Sequence, residues 1–203
     1  MMKNLNTYIN EKLTRVHHQY SCTPETTKEL RNIIRERLAD GLNADLNDID
    51  VSNITNMSSL FDGLDPHNID ISQWDVSNVM DMRFIFYKCK NFNSDLSKWD
   101  VSNVRDTYCM FINCENFNSD LSNWDVSKVE DMRFMFKGCT EFNSDLSNWD
   151  VSNVKNMIGT FYDCENFNSD LNKWDVSNLK FRRIMFNGCD SMKKLPTWYV
   201  DHH

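Results

Sequence analysis

Aromatic residues return in this chain at an unbroken spacing of 25 residues, with Trp74, Trp99, Trp124, Trp149 and Trp174 in one column. Phe61, Phe86, Phe111, Phe136, Phe161 and Phe186 form a second column with the same period. The seam between copies is clearest at residues 142–154, where the run from Phe142 through Trp149 to Val154 has near copies before and after it. A unit this short cannot bury its own apolar face, so it has to stack on its neighbours. The period therefore predicts a solenoid and leaves little room for a conventional globular core.

Within one copy, Ser77 precedes Val79, Met82, Ile85, Phe86 and Cys89. That spacing predicts a helix at about 78–89 with Ser77 as its N-cap, repeated one period later each time. The following Asn91, Phe92, Asn93 and Ser94 carry turn chemistry, and residues 95–101 place apolar side chains near alternate positions, as in a very short strand. The expected fold class is an α/β repeat solenoid of leucine-rich-repeat type, with one short strand and one helix per rung, strands pairing in parallel between rungs, and an N-terminal helical cap.

The ends differ from the array. Leu5, Tyr8, Ile9, Leu13 and Val16 share a helical face, and the adjacent His17 and His18 read as an ordinary exposed pair. Thr23, Pro24 and Glu25 start a second helix, Thr26 and Glu29 are spaced as a capping box, and Leu30, Ile33, Ile34 and Leu38 form its stripe, with Gly41 placed to end it. This helix is expected to cover the open first rung. Residues 44–54 are a degenerate first repeat, with Ile49 where later copies have Trp, and His67 and Ile71 replace the Phe and Leu of their columns. Trp198 arrives one residue early, as at a C-terminal cap, and His202 and His203 are assigned no role. The expected division is 1–43 as helical segment and cap, 44–192 as array, and 193–203 as closing cap.

Several function classes are disfavoured by composition. A net charge of −8 and the lack of clustered Lys and Arg speak against direct nucleic-acid binding, whereas an acidic chain suits a basic protein partner. Neither a signal-peptide pattern nor a membrane-length apolar stretch is visible, so a cytoplasmic location is expected, with the cell surface as the alternative if an export signal lies outside this chain. Cys89, Cys114, Cys139, Cys164 and Cys189 fall in one column and read as small buried thiols, not disulfides, and one Cys per rung does not make a zinc site. No nucleophile with a His partner, phosphate loop or metal motif is found, so no catalytic residue, metal or cofactor is expected.

The units at 132–143 and 145–154, with Met132, Phe136, Cys139, Phe142, Leu146, Trp149 and Val154, resemble the BspA-like leucine-rich repeats of bacterial surface proteins. The resemblance runs from about residue 44 to 192. It implies a leucine-rich-repeat solenoid used for adhesion or protein recognition, with no catalytic residues to transfer.

Columns that do not vary are most simply explained by stacking: Trp and Phe as core, Ser as cap, Asn and Asp as turn formers. The acidic columns Asp95, Asp120, Asp145, Asp170 and Asp100, Asp125, Asp150, Asp175 invite two sharper readings, a bound cation such as calcium or a mimic of a phosphate row. Columns that do vary are free to be tuned toward a partner. Arg83, Phe84, Tyr87, Tyr108, Arg133, Phe134, Tyr162 and Arg183 are expected to form an aromatic and arginine strip on the helix faces, and Tyr and Arg are enriched at binding hot spots. The leading expectation is a non-enzymatic protein-recognition module binding through this strip, the N-terminal helices, or both. An inhibitor from a phage or mobile element that blocks a basic host protein such as a nuclease, and a surface adhesion module, are the alternatives.

Overall fold

The computed structural model describes residues 20–39, 41 and 43–199. The helix expected over the first residues, the pair His17 and His18, and the terminal His202 and His203 lie outside that range. Among the described residues there is one helix, α1 (Thr27–Arg37), and one two-stranded parallel sheet of β1 (Asn43–Asp45) and β2 (Asn68–Asp70), with Ala44 opposite Ile69.

The expected α/β solenoid of leucine-rich-repeat type is overturned: no helix-and-strand rung repeats among the described residues. The segment 78–89 and its equivalents are chains of tight turns, and residues 95–101 form no strand. The reason lies in where the amides go. Ile85 N–H donates to Met82 O at 3.3 Å, Cys89 to Phe86 O at 3.0 Å and Phe92 to Cys89 O at 3.1 Å, all three residues back, so an α-helical ladder to the fourth residue never starts. The intervening amides leave the copy altogether: Met82, Phe84, Phe86 and Lys88 donate to the carbonyls of Asp106, Tyr108, Met110 and Ile112 at 2.8–3.1 Å. Phe84, Cys109, Phe134, Gly159 and Ile184 hold φ of 53–59°, and Lys88, Asn113, Gly138, Asp163 and Gly188 hold 58–77°. Two left-handed residues per copy are incompatible with a right-handed helix.

Ser77 is likewise no helix cap. Asp75 Oδ1 accepts its N–H at 3.2 Å and its hydroxyl at 2.6 Å, an Asx turn whose N–H bond recurs one period later each time at Asp100–Ser102, Asp125–Ser127, Asp150–Ser152 and Asp175–Ser177.

Each copy thus lies on the one before it. Single parallel bridges connect Asn56, Asp81, Asp106, Asp131, Asn156 and Phe181 in succession. The core is a set of stacked aromatic columns: Phe111 to Phe136 at 5.5 Å and 5°, Phe117 to Phe142 at 5.9 Å, Trp124 to Trp149 at 6.5 Å and 1°. Within a copy Phe136 also stacks on Phe142 at 4.2 Å. These rings are buried, and burial of side chains this large is the main favourable term in such a core.

The helix starts at Thr27 and not at Thr23–Glu25 as expected; its N-cap is Thr26, whose Oγ1 accepts from Glu29 N–H at 3.2 Å, while the Glu29 carboxylate accepts the N–H of Glu25 at 3.0 Å and not that of Thr26. Leu30 and Ile34 are fully buried, Thr27 Oγ1 donates to Asn56 O, and the Arg31 guanidinium donates to Ser59 O at 2.5 Å and to the carbonyls of Leu60 and Asp62. In later copies the equivalent carbonyls, such as those of Asp81, Ile85 and Ile112, accept the N–H groups of Met57, Phe61 and Lys88 in the preceding copy. Thr27 and Arg31 supply donors that the first copy has no predecessor to give. At the other end Trp198 still stacks on Trp174 at 6.2 Å despite its early arrival, and Tyr199 N–H donates to Pro196 O at 3.0 Å.

Candidate functional site

Most invariant polar side chains of the array are taken up by bonds within or between copies. Trp99, Trp124, Trp149 and Trp174 each donate the indole N–H to a carbonyl 28 residues earlier, at 2.9–3.0 Å. Cys114, Cys139, Cys164 and Cys189 direct Sγ at carbonyls of Phe86, Phe111, Phe136 and Phe161 at 2.9–3.0 Å. Asn93, Asn118 and Asn143 accept the N–H of Asn118, Asn143 and Asn168 through Oδ1, and Ser119 and Ser144 accept the N–H of Leu96 and Leu121. The cysteines are free thiols, and burial pushes Cys89 up to about 12.

The acidic columns are exposed at Asp95, Asp100, Asp120, Asp125, Asp145, Asp150, Asp170 and Asp175, and each accepts the N–H two residues on through Oδ1. Bonds from the main chain and side chain of Ser122 and Ser147 hold the Asp120 and Asp145 carboxyls below the usual carboxylate range, and Asn172 does the same for Asp170. Like charges in each row are thus tolerated because every member is tied to its own turn. No group of three or more His, Cys, Asp or Glu among the described residues is arranged to hold a metal ion.

The residues of the expected strip lie on chained turns and not on helices. Phe84 meets Tyr87 edge-on at 5.6 Å and Tyr108 at 5.0 Å. The Arg133 guanidinium lies 4.7 Å from the Tyr108 ring centre, and Lys137 Nζ lies 4.7 Å from that of Tyr162 and 5.7 Å from that of Phe134. Arg83 is exposed, while Phe84, Tyr87, Tyr108, Arg133, Phe134 and Tyr162 are half-buried, so each keeps part of its surface in water. Four consecutive copies contribute to this continuous patch. Arg183, the last expected member, is exposed, and no ring of the strip touches it in the described contacts.

Three features of the patch escape the sequence. Asp81 and Asp131 clamp the arginines beside them, Arg83 with Nε at 3.0 Å and a terminal nitrogen at 2.7 Å, and Arg133 with the same two distances. Both guanidiniums are pinned, and the carboxylate bond raises their pKa. Asp106 stands 3.7 Å from Arg83 between those two carboxylates, and its pKa is raised chiefly by burial. Lys88 also approaches Tyr87, at 5.0 Å. The alignment of Asp81, Asp106 and Asp131 at the repeat spacing was the available signal, and its ion pairs depend on backbone turns that no periodicity announces.

The chain belongs to the family described as Mycoplasma protein of unknown function, DUF285, whose model matches residues 28–137 and again 113–203. Neither a curated protein nor a solved structure matches it. No described helix is long and apolar enough to cross a membrane.

Proposed function

We propose that this chain is a non-enzymatic recognition module that binds another protein through the strip from Arg83 to Tyr162. The observation that carries the reading is the contrast between columns. Invariant side chains are taken up by bonds that build or stack the copies, whereas the variable positions 83, 84, 87, 108, 133, 134 and 162 gather aromatic rings and pinned cations on one wet face. Rigid half-exposed aromatics beside fixed arginines are what hot spots are made of, because little side-chain entropy remains to be lost on binding.

A second reading rests on the exposed Asp rows, whose carboxylates are held ionised and evenly spaced along the stack. Such a face suits a basic protein, including one that ordinarily grips a phosphate backbone. The two faces make different demands on salt, since a row of exposed carboxylates loses its pull as screening rises.

The test compares capture of proteins by the wild type, by a Tyr108→Ala, Arg133→Ala, Tyr162→Ala variant, and by an Asp120→Asn, Asp145→Asn variant. Asparagine keeps the Oδ1 acceptor of each turn, so the last variant removes charge without unseating the turn. Loss of a partner with the first variant alone supports the strip. Loss with the second alone transfers function to the acidic rows, and retention by both refutes both faces.

A further inference from the structure

The bonds between copies run one way in one segment and the other way beside it, where Arg105 N–H donates to Met80 O and Asn116 N–H to Lys90 O. In segment 82–88 and its equivalents the inter-copy bonds run from an N–H of the earlier copy to a carbonyl of the later one. Met157, Gly159, Phe161 and Asp163 thus donate to Phe181, Arg183, Met185 and Asn187 at 2.7–3.1 Å. The matching donors of the last copy are Arg182, Ile184, Phe186 and Gly188, and none of these amides has an acceptor among the described residues. At the opposite end Thr27 and Arg31 already fill the carbonyls of Asn56, Leu60 and Asp62.

The open row is also built differently from the rows it continues. Phe181 is 54% exposed in a column that elsewhere holds Asn56, Asp81, Asp106, Asp131 and Asn156. Arg182 occupies the column of Met57, Met82, Met132 and Met157, and its Nε is buried with no hydrogen-bond partner among the described residues. Lys193 Nζ donates to Asp190 O at 3.0 Å, removing a carbonyl that would compete at the edge of the row. Residues 173–194 carry six Lys or Arg and two Asp, in a chain whose net charge is −8.

We propose that the main-chain edge formed by Arg182, Ile184, Phe186 and Gly188 docks an acidic segment of another protein, held in chained turns like those of the copies it continues. Its carbonyls accept the row of N–H groups, and its carboxylates meet Lys180, Arg182 and Arg183. A second copy of this chain does not fit. Tail to tail, the amides of this row face amides, and head to tail, the carbonyls of Asn56, Leu60 and Asp62 are already taken by Thr27 and Arg31. The strip is a different surface, with only Arg183 shared between the two.

Amide hydrogen exchange on the full-length chain tests this. In the free protein the amides of Arg182, Ile184, Phe186 and Gly188 should exchange fast, and those of Met157, Gly159, Phe161 and Asp163 slowly. A capped peptide of alternating Glu and Thr should slow the first group, whereas its Lys and Thr counterpart should not. A Lys180→Glu, Arg182→Met variant, which restores the residue type of the Met column, should bind the acidic peptide about tenfold more weakly. Tyr108→Ala should change nothing, which separates this site from the strip. Slow exchange at the four amides in the free chain, protection that grows with protein concentration, equal effects of both peptides, or no protection by the acidic one would each overturn the proposal.

Discussion

The ring of Phe134 lies across the backbone of Gly159 in the next copy, so closely that a β-carbon on Gly159 would stand 2.4 Å from Phe134 Cε1. The small residue at 159 and the large one at 134 are therefore one feature of the strip. Gly159 also holds φ of 59°, where a side chain is strained by about 1–2 kcal/mol. Gly159→Ala should destabilise the protein by about 1–3 kcal/mol in urea unfolding and shift Phe134 away from Lys137. In the Phe134→Ala background the same substitution should lose its steric part, and a strictly additive double-mutant cycle would contradict the contact.

The indole of Trp124 has two jobs, packing against Trp149 and satisfying the buried carbonyl of Leu96 at 2.9 Å. Trp124→Phe keeps much of the packing but removes one of that carbonyl's two donors, leaving the Trp99 N–H at 3.1 Å, so a loss of about 1–3 kcal/mol is expected. The half-buried Trp198, whose indole donates to Leu171 O at 2.8 Å, should lose distinctly less on the same change. Equal losses would show that the hydrogen bond and burial at the column centre count for little.

Arg31 closes the carbonyl end of the stack. Arg31→Met retains an apolar stem, leaves the carbonyls of Leu60 and Asp62 without the guanidinium donor and Ser59 O with the Asp62 N–H alone, at about 2–4 kcal/mol. The loss should be local. Amides of the first copies should exchange faster, while those near Phe161 remain protected; uniform acceleration throughout would contradict a capping role.

Stability should fall on both sides of neutrality. Burial raises the thiols of Cys89 and Cys189 to about 12 and those of Cys114, Cys139 and Cys164 well above the ordinary value. A pKa raised on folding gives stability that is whole below the unfolded thiol value of about 8.5 and is lost as pH climbs toward the folded value. The carboxyls of Asp95, Asp120, Asp125 and Asp145 are lowered by bonds from Ser97, Ser122, Ser127 and Ser147. Their contribution is present above the unfolded value of about 3.9 and disappears as pH drops through the folded one. Thermal unfolding followed across pH should show a plateau bounded on both sides, and replacing Cys114 and Cys139 by Ala should flatten the alkaline limb alone.

Stacking was legible in the sequence because a spacing of 25 residues needs no knowledge of local conformation: the Trp, Phe and Cys columns follow from it directly. Local structure was not. Val79, Met82, Ile85 and Cys89 step by three or four residues, and over so short a span a series of three-residue turns and a helix of 3.6 residues per turn place apolar groups almost identically. What separates them is the left-handed conformation of Phe84 and Lys88, residue types that give no warning of it, and the export of alternate amides to the neighbouring copy. The neighbouring rings of Phe84, Tyr87 and Tyr108 follow from the 25-residue period as well as from local spacing. The pinning of Arg83 and Arg133 did not show, since it depends on the turn that brings each arginine back over the Asp two residues earlier.

Site-specific photo-crosslinking tests the central claim most directly. A photoreactive phenylalanine at position 84 or 134 reports on the strip, and one at position 123 or 148 reports on the exposed turns beside the acidic rows. The account predicts that one partner protein is trapped from positions 84 and 134 and not from 123 or 148, with melting temperature unchanged in all four proteins. Trapping of a partner from 123 and 148, with none from the strip, would contradict it.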